Sequence, residues 1–298
     1  MAYFCIGIVG YGQNPHVECF MDYARALAAA LRTLGHDVSS QWSPHRRLIV
    51  FGANNAVEGI GDVNRMPSDA IIFNTEQVAA AEDPKTQMTA HERFKDHVIW
   101  DYSEANAKVI REEFGLRVVH CPFGYHSSMS TVLPAEDEDI DVLFYGSVQA
   151  NDRRAKILDE LEKAGLKVAR PDKPFDDIPL FGLYGAERDA YVRRAKVVLN
   201  LHYYTPGIFE IFRVSHLVAN AKVVVSESGG IDAGLENLAS KITQHVPYEE
   251  IVSRCVEMVS LAPRARKAQG AAAKLAFMSE PSLVDTVFHA LKQSEVRS

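Results

Sequence analysis

Short apolar runs alternate with helical segments along most of this chain, in two successive series. In the first series, the apolar run Tyr3–Val9 leads into a glycine turn at residues 10–12 and a strongly helical segment at residues 17–34, which ends at Gly35. A second helix is predicted at residues 104–114, and the other strands of this series are predicted at Arg47–Phe51, Ala70–Phe73, Val98–Trp100 and Arg117–Cys121. Strands that alternate with helices form parallel sheets with covered faces, so this series predicts one α/β lobe.

The second series follows an acidic, turn-rich stretch, Pro134–Asp139, which reads as a linker. Its strands are predicted at Asp141–Tyr145, 166–169, Lys196–His202 and Lys222–Ser226, and its helices at 152–164, 186–194 and 208–220. The fold class is therefore α/β, with two Rossmann-like lobes at residues 1–135 and 136–298 facing across a cleft. The C-terminal helices, at about residues 247–294, are expected to brace both lobes.

Composition narrows the classes of partner. The net charge of −7 disfavours nonspecific binding to nucleic acid or to an anionic membrane. The N-terminal segment does not resemble a signal peptide, and no apolar run approaches the roughly 20 residues that a membrane helix needs. The four cysteines lie far apart, and because two of them fall in apolar runs, buried free thiols are expected. We therefore expect a soluble cytoplasmic protein without a transmembrane segment.

The strand VVLNLHYY, residues 197–204, carries polar side chains at one end. Asn200 and His202 alternate on one face of an otherwise apolar strand and lie near its carboxyl end. Ligands of open α/β sheets bind outside the carboxyl ends of the strands, which makes both residues candidates for ligand binding. A buried hydrogen-bonded pair without a ligand would produce the same pattern.

The next helix carries a polar stripe, because Glu210, Arg213, His216 and Asn220 recur every three or four residues. The stripe could face solvent, or it could face a ligand in the cleft. In the second case the helix N-terminus would favour a phosphate, Glu210 would accept hydrogen bonds from ribose hydroxyls, and Arg213 would pair with a phosphate.

Two further junctions between a strand or loop and a helix could contribute to the same site. Gly146-Ser147 ends a strand and precedes Arg153-Arg154 at a helix start, where backbone N–H groups, a hydroxyl and guanidinium groups can bind phosphate oxygens. Tyr184 opens the turn YGAERD and could line the rim of the site, although a structural cap explains this turn equally well.

Three candidate general bases follow successive strands of the first lobe: Glu76, Asp101 and His126. Capping or turn roles are the alternative for each of them. The glycines of the first turn are spaced G-x-x-G-x-G and do not match the dinucleotide fingerprint. The D-x-D at Asp139–Asp141 precedes its strand, and no zinc motif, nucleophile elbow or P-loop is present.

The motifs DVLFYGS, RR, ILDEL, YGAERD, AKVVLNLHYY and FEIFRVSHLVANAKVVVSE resemble the donor-binding lobe of bacterial GT-B glycosyltransferases of the CgeB-like and group 1 type. In the first lobe, FNTEQV, WDYSEAN and PFGYH also resemble segments of such proteins. The resemblance covers most of the chain and is most specific between residues 141 and 227. Retaining members often carry two glutamates eight residues apart, whereas Ser215 or His216 stands at the second position here.

The resemblance implies a glycosyltransferase of bacterial glycan biosynthesis that needs no metal or other cofactor. The second lobe would bind a nucleotide-sugar donor through Gly146, Ser147, Arg153, Arg154, Tyr184, Asn200, His202, Glu210, Arg213 and His216. The first lobe would bind a glycan, small-molecule or protein acceptor, and nucleic acid is disfavoured as an acceptor. A sugar-nucleotide epimerase or hydrolase on the same fold, and a non-catalytic nucleotide- or sugar-binding protein, are the alternatives.

Overall fold

A computed structural model describes residues 1–10, 15–53, 66–89, 91–135, 137–149, 151–175 and 183–295. The chain divides into two compact units: Met1–Ser128 together with Glu280–Ser298, and Met129–Ser279. Residues 11 and 12 of the expected glycine turn lie outside the described residues.

The first unit contains a parallel sheet, which has six strands within the described residues, in the order β2-β1-β3-β4-β5-β6. Its strands are β1 Tyr3–Ile8, β2 Asp37–Ser39, β3 Arg47–Phe51, β4 Ile71–Phe73, β5 Val98–Asp101 and β6 Val118–His120, and its helices are α1 Met21–Thr33, α2 Glu104–Phe114 and α9 Leu283–Glu295. One face of the sheet packs against α1, where Tyr23 contacts the rings of Phe51 and Phe73. The other face packs against α2 through a second apolar cluster that includes Val50, Ile72, Ile99 and Ile110.

The second unit contains another parallel sheet, with five strands in the described part, in the order β11-β10-β9-β7-β8. Its strands are β7 Ile140–Leu143, β8 Val168–Ala169, β9 Ala195–Asn200, β10 Val224–Glu227 and β11 Gln244–Val246. Its helices are α3 Asp152–Lys163, α4 Gly185–Arg194, α5 Ile211–Ala219, α6 Ala233–Ile242, α7 Ile251–Ser260 and α8 Pro263–Ser279. The chain leaves β7 toward β8 and then crosses to β9 on the other side, so the topological switch point lies between β7 and β9.

The two sheets confirm the predicted α/β fold, and two strands were missed. Strands β2 and β11 have three residues each and lie at the edges of their sheets. Strands β2 (DVS) and β11 (QHV) each contain one apolar residue, unlike the equally short but apolar β4 (IIF), so neither gives a clear strand signal in the sequence. Short 3-10 turns complete the described secondary structure, at Pro15–Phe20, Val78–Ala80, Pro84–Thr86, His91–Phe94, Ser127–Met129 and Tyr248–Glu250.

The division into units differs from the expected boundary after residue 135. Asn220 at the end of α5 donates to the Met129 carbonyl at 2.8 Å and accepts from the Val132 N–H at 2.8 Å, which holds this segment to the second unit. The acidic stretch also belongs there, because Glu138 pairs with Lys222 and Arg266. It is therefore an anchored part of the unit and not a solvated linker.

The C-terminal helices are divided between the units. Helices α7 and α8 belong to the second unit, whereas α9 packs against α1 and β6 of the first. Trp100 Nε1 donates to Ser294 Oγ at 2.8 Å, and Arg117 Nη2 donates to the Ser294 carbonyl at 3.0 Å. These bonds make the last described helix part of the first unit, although it follows the second unit in the sequence.

Candidate functional site

A cluster of buried polar side chains lies at the carboxyl ends of β7 and β9, at the switch point of the second sheet. Asn200 ends β9 and is fully buried. Its Nδ2 donates to Glu210 Oε2 at 3.0 Å and to Ser226 Oγ at 3.1 Å, and its Oδ1 accepts from Arg213 Nη1 at 2.9 Å. One strand end and the start of α5 are therefore joined by a single amide, and a role of Asn200 in ligand binding remains a prediction.

Arg154, in the first turn of α3, lies beneath this cluster and is 2% exposed. Its guanidinium donates to the carbonyls of Ser147, Leu201 and His202 and lies 3.6 Å from Glu210 Oε1. Burial, together with the charge of Arg213, lowers the pKa of Arg154 to about 10. The side chain therefore remains a cation at neutral pH and connects the loops that follow β7 and β9.

Glu210 is the N-cap residue of α5, and its carboxylate lies among cations. Burial works against its charge, but His202, Arg213 and Arg154 outweigh burial and lower its pKa below the ordinary value. Among the described residues, its buried Oε1 atom has no hydrogen-bond partner. An unpartnered buried carboxylate oxygen is unfavourable, and a hydroxyl group of a ligand would satisfy it.

His202 follows β9 and is 2% exposed. Its Nδ1 lies 3.3 Å from Glu210 Oε2, and its backbone N–H donates to Glu227 Oε2 at 3.0 Å. Burial alone would lower the pKa of the imidazole, but Glu210 and the charge of Glu227 outweigh it and raise that pKa. A Cβ at Gly207 would come within 2.8 Å of this ring, so the glycine is required for the loop to pack on His202.

Arg213 extends from the first turn of α5 toward the loop that follows β7. Its guanidinium lies 5.5 Å from the ring centre of Tyr145 and 5.9 Å from that of Phe144. A Cβ at Gly146 would lie 3.0 Å from Arg213 Nη2 and 2.8 Å from Phe144 Cζ, so only glycine leaves room for this approach. Ser147 is exposed beside it, and its Oγ accepts from the Gln149 N–H.

A cavity of about 510 Å³ lies beside the cluster, at the carboxyl ends of β9, β10 and β11. Arg153 on its wall pairs with Glu227 at the end of β10 and stacks on Tyr248 at 4.2 Å. Within the described residues, Arg153 Nη1 is buried without a hydrogen-bond partner. The other residues lining the cavity include His202, Tyr204, Gly207, Ser228 and Gly229.

The polar stripe of α5 is at least half-buried and does not form a solvated face. Glu210 and Arg213 join the cluster, but His216 packs against α4, where its Nε2 lies 3.0 Å from Asp189 Oδ1 and 3.0 Å from Arg188 Nη2. Burial would raise the pKa of Asp189, but His216 and Arg188 outweigh it and lower that pKa. His216 therefore links α5 to α4 through buried polar contacts.

Tyr184 is the half-buried N-cap residue of α4 and forms no side-chain cap hydrogen bond. It neighbours Gly185, whose φ of 53° lies in the left-handed region that favours glycine. Its place at a turn agrees with the structural alternative, and a role in binding a donor remains a prediction.

The three candidate bases of the first unit have different surroundings. Asp101 is fully buried, and its carboxylate accepts from Asn74 Nδ2 at 2.6 Å, the Ser103 N–H at 2.8 Å and Asn106 Nδ2 at 3.3 Å. These bonds connect the ends of β4 and β5 to the start of α2. Asp101 therefore has the environment of a structural carboxylate.

His126 and Glu76 are both half-buried. The Ser128 N–H donates to His126 Nδ1 at 3.1 Å, so the neutral imidazole carries its proton on Nε2. That arrangement makes Nε2 a donor and disfavours it as a base, although burial lowers the pKa of the ring. Glu76 Oε1 accepts from Thr75 Oγ1 at 3.2 Å, which leaves Glu76 as the candidate whose chemistry best fits a base.

Sequence reasoning missed Glu227, Tyr248 and the rings of Phe144 and Tyr145. Glu227 lies one residue beyond the predicted end of its strand, Ser226, at the same kind of strand terminus that drew attention to Asn200. Applying the strand-end argument to every strand of the second sheet would have found it. Tyr248 carries no such signal, because its contact with Arg153 depends on how β11 and the start of α7 return over α3.

Among the described residues, no group of three or more His, Cys, Asp or Glu side chains is arranged to hold a metal ion. In the part of the chain that the structure describes, no helix combines the length and apolar character needed to cross a membrane.

No protein-family model matches the chain. An uncharacterised protein of Acanthamoeba polyphaga mimivirus is 27% identical over 195 residues, which is 64% of this chain and 59% of that protein. A second uncharacterised mimivirus protein is 27% identical over 63% of this chain and 20% of its own length. The chain thus matches less than two thirds of the length of these relatives.

Solved structures similar to the whole chain are glycosyltransferases. An alpha-glucosyltransferase in complex with UDP aligns with a TM-score of 0.56 at 8% identity, over 99% of this chain and 100% of the other. Sucrose-phosphate synthase from Thermosynechococcus elongatus aligns with a TM-score of 0.54 at 10% identity, over 97% and 98%. A glycosyltransferase from Rickettsia africae aligns with a TM-score of 0.53 at 11% identity, over 99% and 98%. With its two parallel sheets and these structural neighbours, the chain has the GT-B fold of glycosyltransferases.

Proposed function

We propose that this protein transfers a sugar from a nucleotide-sugar donor, held by the second unit, to a hydroxyl or amine of an acceptor. The observation that carries the proposal is Glu210 Oε1, which is buried without a hydrogen-bond donor among the described residues and lies among cationic side chains at the switch point of the sheet. A carboxylate oxygen without a hydrogen-bond donor can accept from the hydroxyls of a ribose. Arginine side chains can bind the oxygens of a diphosphate.

The cationic side chains of the cluster are suited to stabilising a departing diphosphate. Arg153, Arg154 and Arg213 supply three positive charges, against the carboxylates of Glu210 and Glu227, and Glu249 is an exposed carboxylate on the cavity wall. The positive end of the α5 dipole adds to them, because α5 begins at Ile211 beside the cluster. In the proposed mechanism, these preorganised groups stabilise the charge that develops on the leaving diphosphate, in place of a divalent ion.

The bond from the anomeric carbon to the diphosphate oxygen breaks, and the acceptor oxygen or nitrogen forms the new bond to that carbon. In the proposal, the acceptor proton goes to Glu76 of the first unit if the stereochemistry inverts. The α-glucosyltransferase among the structural neighbours was solved with UDP, which supports testing uridine nucleotides first.

A thermal-shift panel of UDP-, GDP-, CMP- and dTDP-sugars tests donor binding, with free nucleotides and NAD as controls. Each ligand is measured with EDTA and with added Mg²⁺, because a ligand that binds only the folded state raises the melting temperature. We expect one nucleotide family to raise it equally under both conditions. A shift only with Mg²⁺ would contradict metal independence, and no shift from any sugar nucleotide would contradict the donor site.

Product analysis of the stabilising donor then separates the possible activities. Release of free nucleotide that depends on an added acceptor supports transfer. Turnover without an acceptor supports an epimerase or hydrolase, and binding without turnover across an acceptor panel supports a non-catalytic binding protein.

A further inference from the structure

In the described part of the first unit, the sheet face that packs against α1 is fully covered at its centre and only partly covered at β1. Ile6 and Ile8 of β1 stand in register with Ile49 and Phe51 of β3. Ile49 and Phe51 are fully buried, whereas Ile6 and Ile8 are only half-buried. The apolar face therefore continues from the core to the edge of the sheet, where its cover ends.

The open edge has a topological cause. Strand β2 is the edge strand, and residues 40–46 lead from it back to β3 without forming a helix. A groove of about 530 Å³ remains between α1 and strands β1 and β2, a size within the usual range of small-molecule sites. Its apolar walls are formed by Ile6, Ile8, Met21, Ala24, Ala28 and Val38.

The side of α1 that faces the groove combines small apolar residues with arginines. Met21, Arg25, Ala28 and Arg32 recur at three- or four-residue spacing and so lie on one face of the helix. Arg25 and Arg32 are seven residues apart, or about 10 Å along the axis. Arg32 Nη2 donates to the Val38 carbonyl at 2.9 Å, which holds its guanidinium at the groove.

The charged side chains that line the groove are cationic. Among the described residues, its polar lining consists of Arg25, Arg32 and the serines Ser39 and Ser40, and no carboxylate is part of it. A ligand that matches this lining has an apolar chain to cover the isoleucines and one anionic group to pair with a guanidinium.

We propose that this groove binds a free single-chain anionic amphiphile, of the fatty-acid class, as a monomer. The chain of the amphiphile lies on Ile6, Ile8 and Ala28, and its carboxylate pairs with Arg25 at the exposed end of the groove. The proposal concerns the first unit only and does not depend on the donor site or on sugar transfer.

Isothermal titration of the full chain with dodecanoate, below its micelle concentration, tests the proposal. Decanol and inorganic phosphate serve as the apolar-only and anion-only probes. We expect saturable binding of dodecanoate at one site per chain, weaker binding of decanol and no binding of phosphate. Absence of saturable dodecanoate binding, or binding only to anionic phospholipid vesicles, would overturn the proposal.

Two variants locate the site. Ala28→Trp fills the groove and should weaken dodecanoate binding at least tenfold, while Lys108→Trp on the exposed side of α2 is the matched control and should not. Arg25→Gln should weaken dodecanoate binding severalfold and leave decanol unchanged, with Arg111→Gln as its control. Circular dichroism and melting temperature confirm that each variant is folded. Wild-type affinity in a folded Ala28→Trp variant would place the binding elsewhere and refute the proposal.

Discussion

Arg213 Nη1 donates to Asn200 Oδ1 at 2.9 Å, which joins the first turn of α5 to the end of β9. The other end of the same amide donates to Glu210 Oε2 at 3.0 Å. The amide therefore separates a cation from a carboxylate and fixes the position of both. This arrangement explains why a polar residue ends a strand whose three preceding residues, at 197–199, are apolar.

Asn200→Asp should disturb this arrangement more than its small change in size suggests. The new carboxylate would face Glu210 where the amide N–H₂ now donates. A lost buried hydrogen bond costs about 1–3 kcal/mol, and the repulsion adds to it. Urea denaturation should show this loss of unfolding free energy near pH 7. Stability equal to that of the wild type would show that the Asn200–Glu210 contact is not important for folding.

Arg213→Ala should remove donor binding, and it should also cost about 1–3 kcal/mol of unfolding free energy because the buried Asn200 Oδ1 loses its donor. Arg213 is half-buried, and in the proposed function it pairs with the diphosphate. We expect at least a tenfold loss of affinity for the nucleotide that stabilises the wild type, measured by titration calorimetry. Arg194→Ala is the matched control, because Arg194 pairs with the exposed carboxylate of Asp139. If both variants bind the nucleotide as the wild type does, Arg213 is not part of the donor site.

We expect Arg154 to contribute mainly to the stability of the fold. Arg154→Met removes the donor from three buried carbonyls and leaves Glu210 without one of its cations, so we expect a loss of about 3–5 kcal/mol in unfolding free energy. Glu210→Gln should also destabilise the fold. In the double variant the two losses should overlap by about 0.5–3 kcal/mol, because the partners interact. Strict additivity would show that the 3.6 Å contact carries no coupling.

His202 and Glu210 should give stability a defined pH dependence. The folded pKa of His202 is raised above 6.5, so its stabilising charge is fully present below that pH and is lost as the pH rises through the folded pKa. The folded pKa of Glu210 is lowered below 4.5, so its contribution to stability is present above pH 4.5 and is lost as the pH falls through the folded pKa. Both contributions are therefore present between pH 4.5 and 6.5.

Urea denaturation from pH 5.5 to 8.5 tests this dependence against His202→Gln. We expect the wild type to exceed the variant most at the acidic end and the difference to shrink as the pH rises above about 6.5. A difference that stays constant with pH would mean that His202 contributes only by packing.

Much of the second sheet and its polar cluster could be predicted from local patterns. The period of two in β9 and the spacing of Glu210 and Arg213 in α5 identify residues that the structure does bring together. The rule that ligands bind at strand carboxyl ends then gives their place in the fold. These signals are local in the sequence, and a single chain is enough to reveal them.

Other features depend on packing between distant segments. In the sequence, Arg153 and Arg154 are equivalent candidates at the start of a helix. The packing of α3 on the sheet determines that the Arg154 side chain is buried, whereas Arg153 pairs with Glu227. His216 belongs to the same stripe as Arg213, but its partner Asp189 comes from α4. No period within one helix indicates which neighbouring helix will cover it.

The placement of α9 in the first unit has a consequence for synthesis on the ribosome. The second unit is one continuous segment, so all of its strands and helices are available before α9 has been translated. The first unit begins earlier, yet the hydrogen bonds that Trp100 and Arg117 donate to Ser294 cannot form until α9 emerges. Domains generally fold as units during translation. We therefore expect the nascent chain to complete its second unit before the core of the first unit closes.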